Sequence, residues 1–226
     1  MQTIPTIHFA NSKASFIAPS WGQMNDLAFE IAKQAFAADE RFDRIVTLAK
    51  GGWPMTRSLV DFLKVGKVAS IGVKFYSGIN ERLPKPEIYQ DIPVSVEGET
   101  VLLFDDVADT GESLKFVVDI LRARGVRKVM TASLFYKPWS CLEPDFYGAE
   151  TDAWIIFPYD LVESIDILGK KWRSENLGDT EILNRFKKLN FRQEWVEYYF
   201  EATDNSDSSQ ASMLSSTKTK QKKGEK

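Results

Sequence analysis

Residues 101–114, VLLFDDVADTGESL, restrict the fold of this chain more than any other stretch. Val101, Leu102, Leu103 and Phe104 are apolar without alternation. That is the pattern of a strand buried on both faces, as in a parallel sheet covered by helices. Asp105 and Asp106 follow at the carboxyl end of the run, which is where ligands bind in open α/β sheets. Asp109, Thr110, Gly111, Glu112 and Ser113 then form a turn of small and capping residues. The turn leads into a helix with Leu114, Val117, Val118 and Leu121 on one face and Gly125 just past its end. Backbone N–H groups in such a turn can converge on one anion, and the dipole of the helix favours negative charge there.

The rest of the chain repeats the alternation of strand and helix. Ser20 caps a predicted helix from Trp21 to Ala38, with Met24, Leu27, Ala28, Ile31 and Ala35 at helical spacing. A strand over Arg44–Ala49 runs into the turn Lys50-Gly51-Gly52, and Pro54 suits the first turn of the next helix, whose Met55, Leu59 and Phe62 face the sheet. Val68–Tyr76, Val126–Tyr136 and Ala153–Phe157 read as further strands. Residues 77–98 hold Pro84, Pro86, Pro93 and many charges and read as a long loop with room for a short hairpin. Residues 180–201 read as one C-terminal helix rich in aromatics (Phe186, Phe191, Trp195, Tyr198, Tyr199). Residues 1–19 lack periodicity and are expected on the surface, and the Ser-, Asp- and Lys-rich end reads as disordered. Strands and helices at this spacing predict an α/β fold, a mostly parallel twisted sheet with helices on both faces.

Composition narrows the chemistry. The chain has 226 residues, enough for one well-packed α/β domain, and a net charge of −3, so no global basic field argues for nucleic acid as the main partner. His8 is the single histidine and Cys141 the single cysteine. Catalysis through a histidine, a histidine-rich metal site and an internal disulfide framework are therefore excluded as readings, which leaves carboxylates, Lys, Arg and Tyr, and a reducing compartment is expected. No apolar run approaches the ~18–20 residues that span a bilayer, and the start of the chain lacks a charged segment followed by an apolar core, so a cytoplasmic location is expected.

Within the site itself, the two carboxylates and the N–H-rich turn read as a device for a phosphorylated sugar: N–H groups for the phosphate, carboxylates for hydroxyls or a hydrated Mg²⁺. Neither GxxxxGK[ST] nor a GxGxxG after a strand is present. The segment DDVADTGES resembles the ribose-phosphate loop of type I phosphoribosyltransferases, with Ala108 smaller than the branched aliphatic usual there. That resemblance implies binding of 5-phosphoribosyl-1-pyrophosphate with Mg²⁺ as cofactor. Asp105 and Asp106 would hold the ribose hydroxyls, directly or through the ion. Residues Asp109, Thr110, Gly111, Glu112 and Ser113 would bind the 5′-phosphate, and Asp109 would also act as the acid–base group near the purine N7. Lys50, Gly51 and Gly52 stand where the family places its pyrophosphate loop.

Two further segments resemble the 6-oxopurine branch, above all the xanthine-guanine enzymes. Tyr76-Ser77-Gly78-Ile79-Asn80-Glu81-Arg82 resembles a lid segment whose arginine meets pyrophosphate, which makes Arg82 the candidate there, with Lys85 a weaker substitute. Phe135-Tyr136-Lys137-Pro138 followed by Trp154-Ile155-Ile156-Phe157-Pro158-Tyr159-Asp160 resembles the purine-binding half. By that likeness Lys137 meets the purine O6, Trp154 stacks on the ring, the Ile155 backbone contacts the 2-position, and Asp160 helps hold a second Mg²⁺. The bacterial xanthine-guanine enzymes carry an acidic residue where this chain has Ile156.

The expected activity is transfer of the phosphoribosyl group to guanine, hypoxanthine or xanthine, as in purine salvage. The expected layout is an N-terminal surface segment (1–20), a phosphoribosyltransferase domain with its aromatic helix (21–202) and a tail (203–226). The resemblance also implies a homodimer. Two alternatives share the fold: a transferase for another base, and a phosphoribosyl-pyrophosphate-binding regulator, whose nucleic-acid surface would have to be Lys218, Lys220, Lys222, Lys223 and Lys226.

Overall fold

The computed structural model describes residues 4–10, 12–78 and 81–200. They divide into two compact units, the first over Trp21–Asp152 and the second over the described residues of 4–20 and 153–200.

The first unit is built on a six-stranded sheet. Its strands are β3 (Arg44–Ala49), β4 (Val68–Gly78), β5 (Glu81–Gln90), β6 (Thr100–Ala108), β7 (Lys128–Tyr136) and β8 (Phe146–Glu150), in the order β5-β4-β3-β6-β7-β8. Every pairing is parallel except β4 with β5. The helices are α1 (Trp21–Ala37), α2 (Trp53–Leu63) and α3 (Glu112–Ala123). The unalternating apolar run of β6 is explained directly: Val101 and Leu103 lie in one core cluster with Leu114, Val117, Val118 and Leu121 of α3. Leu102 and Phe104 point to the opposite face by the two-residue repeat of a strand, and both are fully buried. Gly125 follows α3 with φ 76°, the left-handed conformation expected past a helix end.

The polar connection over 77–98, read as a loop with room for a short hairpin, is more regular than that reading and carries the second arm of a hairpin. It contains a ten-residue strand, β5, which pairs antiparallel with β4 through several register irregularities. Pro84 and Pro86 are compatible with a strand there because β5 is the edge of the sheet, where one side of the backbone has no ladder partner to satisfy. Strand β8 is an addition: its Gly148 has no predicted role, yet a Cβ there would meet the Leu27 Cβ at 2.7 Å and the Leu134 carbonyl at 2.8 Å, so the glycine lets α1 lie directly on the sheet.

The second unit shows what the N-terminal segment does. Strands β1 (Ile7–His8) and β2 (Ser15–Ile17) pair antiparallel, and β2 pairs in parallel with β9 (Trp154–Ile155). The segment read as a surface run therefore has Phe9, Phe16 and Ile17 buried. The strand expected over Ala153–Phe157 is only two residues long and belongs to this small sheet, not to the parallel one. Helix α4 (Leu161–Ser174), which has no counterpart in the sequence reading, places Trp172 at the centre of an aromatic core. The Phe9 and Phe16 rings lie edge-on to it at 5.8 and 6.2 Å, and Phe186 lies at 5.0 Å.

The single helix expected over 180–201 is two helical segments, α5 (Asp179–Lys188) and residues 193–200. Asn190 breaks it in the left-handed conformation, φ 61°. The Asn190 N–H donates to the Lys187 carbonyl and the Phe191 N–H to that of Phe186, both at 3.1 Å, and the Phe186 and Phe191 rings meet at 5.1 Å. This is the Schellman ending, in which two crossed backbone bonds and one apolar contact close a helix. Phe186 and Phe191 are core residues, whereas Trp195, Tyr198 and Tyr199 are exposed. The tail over 203–226 lies outside the described residues.

Candidate active site

The sheet order determines where the site falls. Strand β4 lies on one side of β3 and β6 on the other, so the chain reverses direction across the sheet between β3 and β6. Open α/β sheets bind ligands at that reversal, outside the carboxyl ends of the strands. Three sequence-predicted segments leave the sheet from adjacent strand ends: Lys50-Gly51-Gly52 after β3, Asp105 to Ser113 at and beyond the end of β6, and Lys137 after β7.

The β3 loop reaches the carboxylate pair by close backbone approach. A Cβ on Gly51 would fall 2.5 Å from the Asp106 carboxyl carbon, and one on Gly52 would fall 3.0 Å from the Leu48 and Phe104 carbonyl oxygens. Gly52 has φ −69° and ψ −19°, an ordinary helical conformation, so space and not backbone freedom demands glycine here. The Ala49–Lys50 peptide is cis. Tyr89 of β5 holds the start of this loop from the other side: its ring lies against Gly72 of β4 and its hydroxyl donates to the Ala49 carbonyl at 3.2 Å. Arg82 lies in β5 opposite Tyr76, and the side chains of Arg82 and Lys85 lie outside the described part of the structure.

Strand β6 continues through the two carboxylates to Ala108, slightly beyond the end expected at Phe104. Asp106 is buried and Asp105 half-buried. Burial, and next the charge of Asp106, push Asp105 well above the ordinary carboxylate range. Two crowded carboxylates of this kind favour a ligand that brings hydroxyl donors or positive charge. Among the described residues no group of three or more His, Cys, Asp or Glu is arranged to hold a metal ion. Two neighbouring carboxylates suit a cation such as Mg²⁺ that is usually held by one or two carboxylates, with waters and substrate phosphates completing its shell.

The turn after β6 has the form an anion site requires. Gly111 precedes α3 at φ 77°, a conformation that side chains rarely adopt, and the first helical bond runs from the Lys115 N–H to the Gly111 carbonyl at 3.0 Å. The N–H groups at a helix start have no acceptor within the helix and point outward along its axis. The turn is fastened to the loop after β7: the Lys137 N–H donates to the Ala108 carbonyl at 3.1 Å, and the Cys141 N–H to that of Thr110 at 2.9 Å.

Lys137 is 6% exposed, which is rare for a lysine. Burial lowers its pKa below the ordinary lysine value, while the charges of Asp109 and Asp152 act in the opposite direction. Asp109, on the turn, is exposed and accepts a hydrogen bond from the Trp139 indole at 3.0 Å. Trp139 was absent from the sequence-derived set. Its position next to the Lys137-Pro138 pair is the signal that points to it.

The remaining candidates belong to the second unit. Trp154 and Ile155 form β9, Phe16 and Ile17 of β2 being their partners, and the Ile156 N–H donates to the Ile17 carbonyl at 2.8 Å. Trp154 is 49% exposed, so its ring is not a core filler, whereas Ile156 is buried. The Phe157 and Tyr159 rings stack at 5.1 Å, and Asp160 stands at the N-cap of α4.

A mostly parallel sheet with a carboxylate pair and a glycine-led helix start at its switch point is the frame of an α/β ligand-binding domain. The chain belongs to the phosphoribosyl transferase family, whose domain model matches residues 20–163. It is 27% identical over 144 residues to a xanthine-guanine phosphoribosyltransferase of Idiomarina loihiensis, covering 63% of this chain and 85% of the relative. It is 26% identical over 161 residues to the enzyme of that name from Gluconobacter oxydans, covering 70% and 89%. A purine phosphoribosyltransferase structure from Pyrococcus horikoshii superimposes with a TM-score of 0.57 at 30% identity, covering 64% of this chain and 93% of that one. The Helicobacter pylori xanthine-guanine-hypoxanthine phosphoribosyltransferase, at 21% identity and a TM-score of 0.57, shares the fold. The protein is an enzyme of phosphoribosyl transfer. No helix among the described residues is long and apolar enough to cross a membrane.

Proposed function

We propose that the protein transfers the 5-phosphoribosyl group from 5-phosphoribosyl-1-pyrophosphate to a 6-oxopurine, releasing pyrophosphate. The observation that carries this reading is the convergence of Gly51 on Asp106, with Asp109 and buried Lys137 on the neighbouring strand ends. The Asp105–Asp106 pair would bind the ribose hydroxyls, and the N–H groups of 109–113, with the Thr110 and Ser113 hydroxyls, the 5′-phosphate. Lys50, Gly51 and Gly52 would approach the pyrophosphate, with Arg82 as its cationic partner. Lys137 would donate to the purine O6, Trp154 would stack on the ring, and the Ile155 backbone would meet the 2-position. Asp160 is assigned to a second ion.

In the reaction the bond from the anomeric carbon to the pyrophosphate oxygen breaks, and its electron pair leaves with pyrophosphate. A bond to the purine nitrogen forms, and Asp109 accepts or stabilises the proton at N7. Mg²⁺ would supply neutralisation of the pyrophosphate charge. The protein contributes mainly positioning and fixed dipoles.

Cytoplasmic action suits the exposed free Cys141. A homodimer is the proposed assembly, because Phe29 and Phe36 are both exposed seven positions apart on α1, an apolar face that a second copy would cover. Sedimentation at micromolar concentration tests it.

The test of function is a purified-protein assay with phosphoribosyl pyrophosphate and Mg²⁺, offering guanine, hypoxanthine, xanthine, adenine and uracil separately. Nucleotide from the 6-oxopurines is the expected result, and the ranking among them measures what Ile156 does to recognition at the 2-position. Product from uracil or adenine alone would overturn the purine assignment. No product with tight phosphoribosyl-pyrophosphate binding would replace it with the regulator.

A further inference from the structure

Trp139 is 56% exposed, so burial of apolar area does not account for its place in the loop after β7. It is nevertheless held on both sides. Its Nε1–H donates to Asp109 Oδ1 at 3.0 Å, and the Lys137 ammonium lies 5.4 Å from the centre of its ring. The backbone around it is equally constrained. The Ser140 N–H donates to the Lys137 carbonyl at 2.9 Å, closing a tight turn around Trp139, and the Ser140 hydroxyl donates to the Leu142 carbonyl at 2.9 Å. The Lys137 and Cys141 N–H bonds to Ala108 and Thr110 bracket Asp109 in the facing turn. A Cβ on Gly111 would come within 2.8 Å of the Leu142 nitrogen, so this close seating of the two turns depends on glycine.

The chemistry of the contact is asymmetric. An indole N–H is a donor only. It can therefore hold Asp109 only through an accepting oxygen, and a hydrogen bond to one oxygen of a carboxylate leaves the other to face a substrate. A carboxylate on an exposed turn otherwise rotates freely about its side-chain torsions, and misplacement of a reacting group by about 1 Å can lower a rate about a hundredfold.

We propose that Trp139 is a positioning residue for the transfer step: its indole N–H fixes the Asp109 carboxylate in one rotamer, so that the second oxygen faces the purine, while its ring covers the Lys137 ammonium. The proposal rests on the reading of Asp109 as the acid–base group. It also predicts something a packing role does not, because Trp139→Phe keeps a ring over Lys137 and removes only the donor.

The experiment compares the wild type with Trp139→Phe, Asp109→Asn and the double variant in steady-state assays, and records the indole N–H resonances of the wild type and Asp109→Ala by NMR. The resonance missing from Trp139→Phe identifies Trp139. Expected are a fall in kcat of about 3–10-fold in Trp139→Phe, the scale of one hydrogen bond, with the KM for phosphoribosyl pyrophosphate unchanged. In the Asp109→Asn background the same substitution has no further effect on kcat, because the two residues act as one unit. The Trp139 indole resonance moves in Asp109→Ala. Wild-type kcat in Trp139→Phe, a loss that multiplies with that of Asp109→Asn, or an indole resonance indifferent to Asp109 would each overturn the proposal. Full turnover in Asp109→Asn would overturn the acid–base reading itself, and the resonance, which needs no catalysis, separates that failure from absence of the contact.

Discussion

The turn over 108–113 and the segment over 154–160 carry the proposed sugar and base contacts, and different physics holds each in place. The turn sits between a nine-residue strand and a twelve-residue helix, and every force on it is local or from the next strand: helix start, left-handed Gly111, and backbone bonds to the loop after β7. The segment starts from a two-residue strand whose partner, Ser15–Ile17, comes from the far end of the sequence. Its stability comes from an aromatic core of Phe9, Phe16, Trp172 and Phe186. Motifs made of adjacent residues are thus positioned by backbone hydrogen bonding, whereas the second unit needs long-range apolar packing before Trp154 has a place to stand.

The largest expected effect breaks the comparison on the sugar side. Asp109→Asn should lower kcat by about 10²–10⁴-fold, the usual share of acid–base catalysis, with phosphoribosyl-pyrophosphate affinity by calorimetry nearly unchanged. Equal losses in both would make Asp109 a binding residue only.

Next is the core of the second unit. Phe16 is 1% exposed, and Phe16→Ala should destabilise that unit by about 3–5 kcal/mol. Hydrogen exchange should then quicken over 161–188 while protection over 101–136 persists. Uniform loss of protection would mean that the two units unfold together.

A smaller effect follows from close approach. Gly51→Ala places a methyl against the Asp106 carboxyl, and overpacking of about 1–3 kcal/mol should raise the KM for phosphoribosyl pyrophosphate by about 10–100-fold, leaving that for the base alone. Unchanged kinetics would show that the loop moves aside freely. Trp154→Ala sharpens the other side: loss of one stacking face should raise the KM for the purine about tenfold, with no change in that for phosphoribosyl pyrophosphate. An unaltered purine KM would leave Trp154 without a role in base binding.

The smallest effect concerns pH. Burial disfavours the charged form of Lys137, so its proton leaves at lower pH than that of a free lysine. Purine binding should therefore weaken on the alkaline side before the ordinary lysine range is reached. Lys137→Arg should abolish that limb, since a guanidinium stays charged throughout. A limb that persists in the arginine variant would belong to another group.

Much of the first unit was legible because its information is local. The strand over Arg44–Ala49 and the helix face of Leu114, Val117, Val118 and Leu121 follow from apolar periodicity alone, and both are observed. Strand β5 was legible only as room for a short hairpin, because prolines and charges disfavour a ten-residue strand unless its edge position is known. The break at Asn190 depends on a left-handed residue and a Phe186–Phe191 contact that close together, and an aromatic-rich helical pattern over 180–201 conceals it. Trp139 was overlooked because its role depends on Asp109, thirty positions earlier, which the pairing of β6 with β7 brings within hydrogen-bond distance.

By itself, the sequence determined the parallel sheet, the place of the carboxylate pair at a strand end and the turn that leads into α3, since each is written in consecutive residues whose conformational preferences agree. Only the tertiary structure decided that Phe9, Phe16 and Ile17 are core, that Trp154 lies on a short strand paired with Ser15–Ile17, and that Gly52 is required for room and not for its backbone freedom. Those features depend on which distant atoms meet, and a close approach leaves no mark in the sequence except the absence of a side chain.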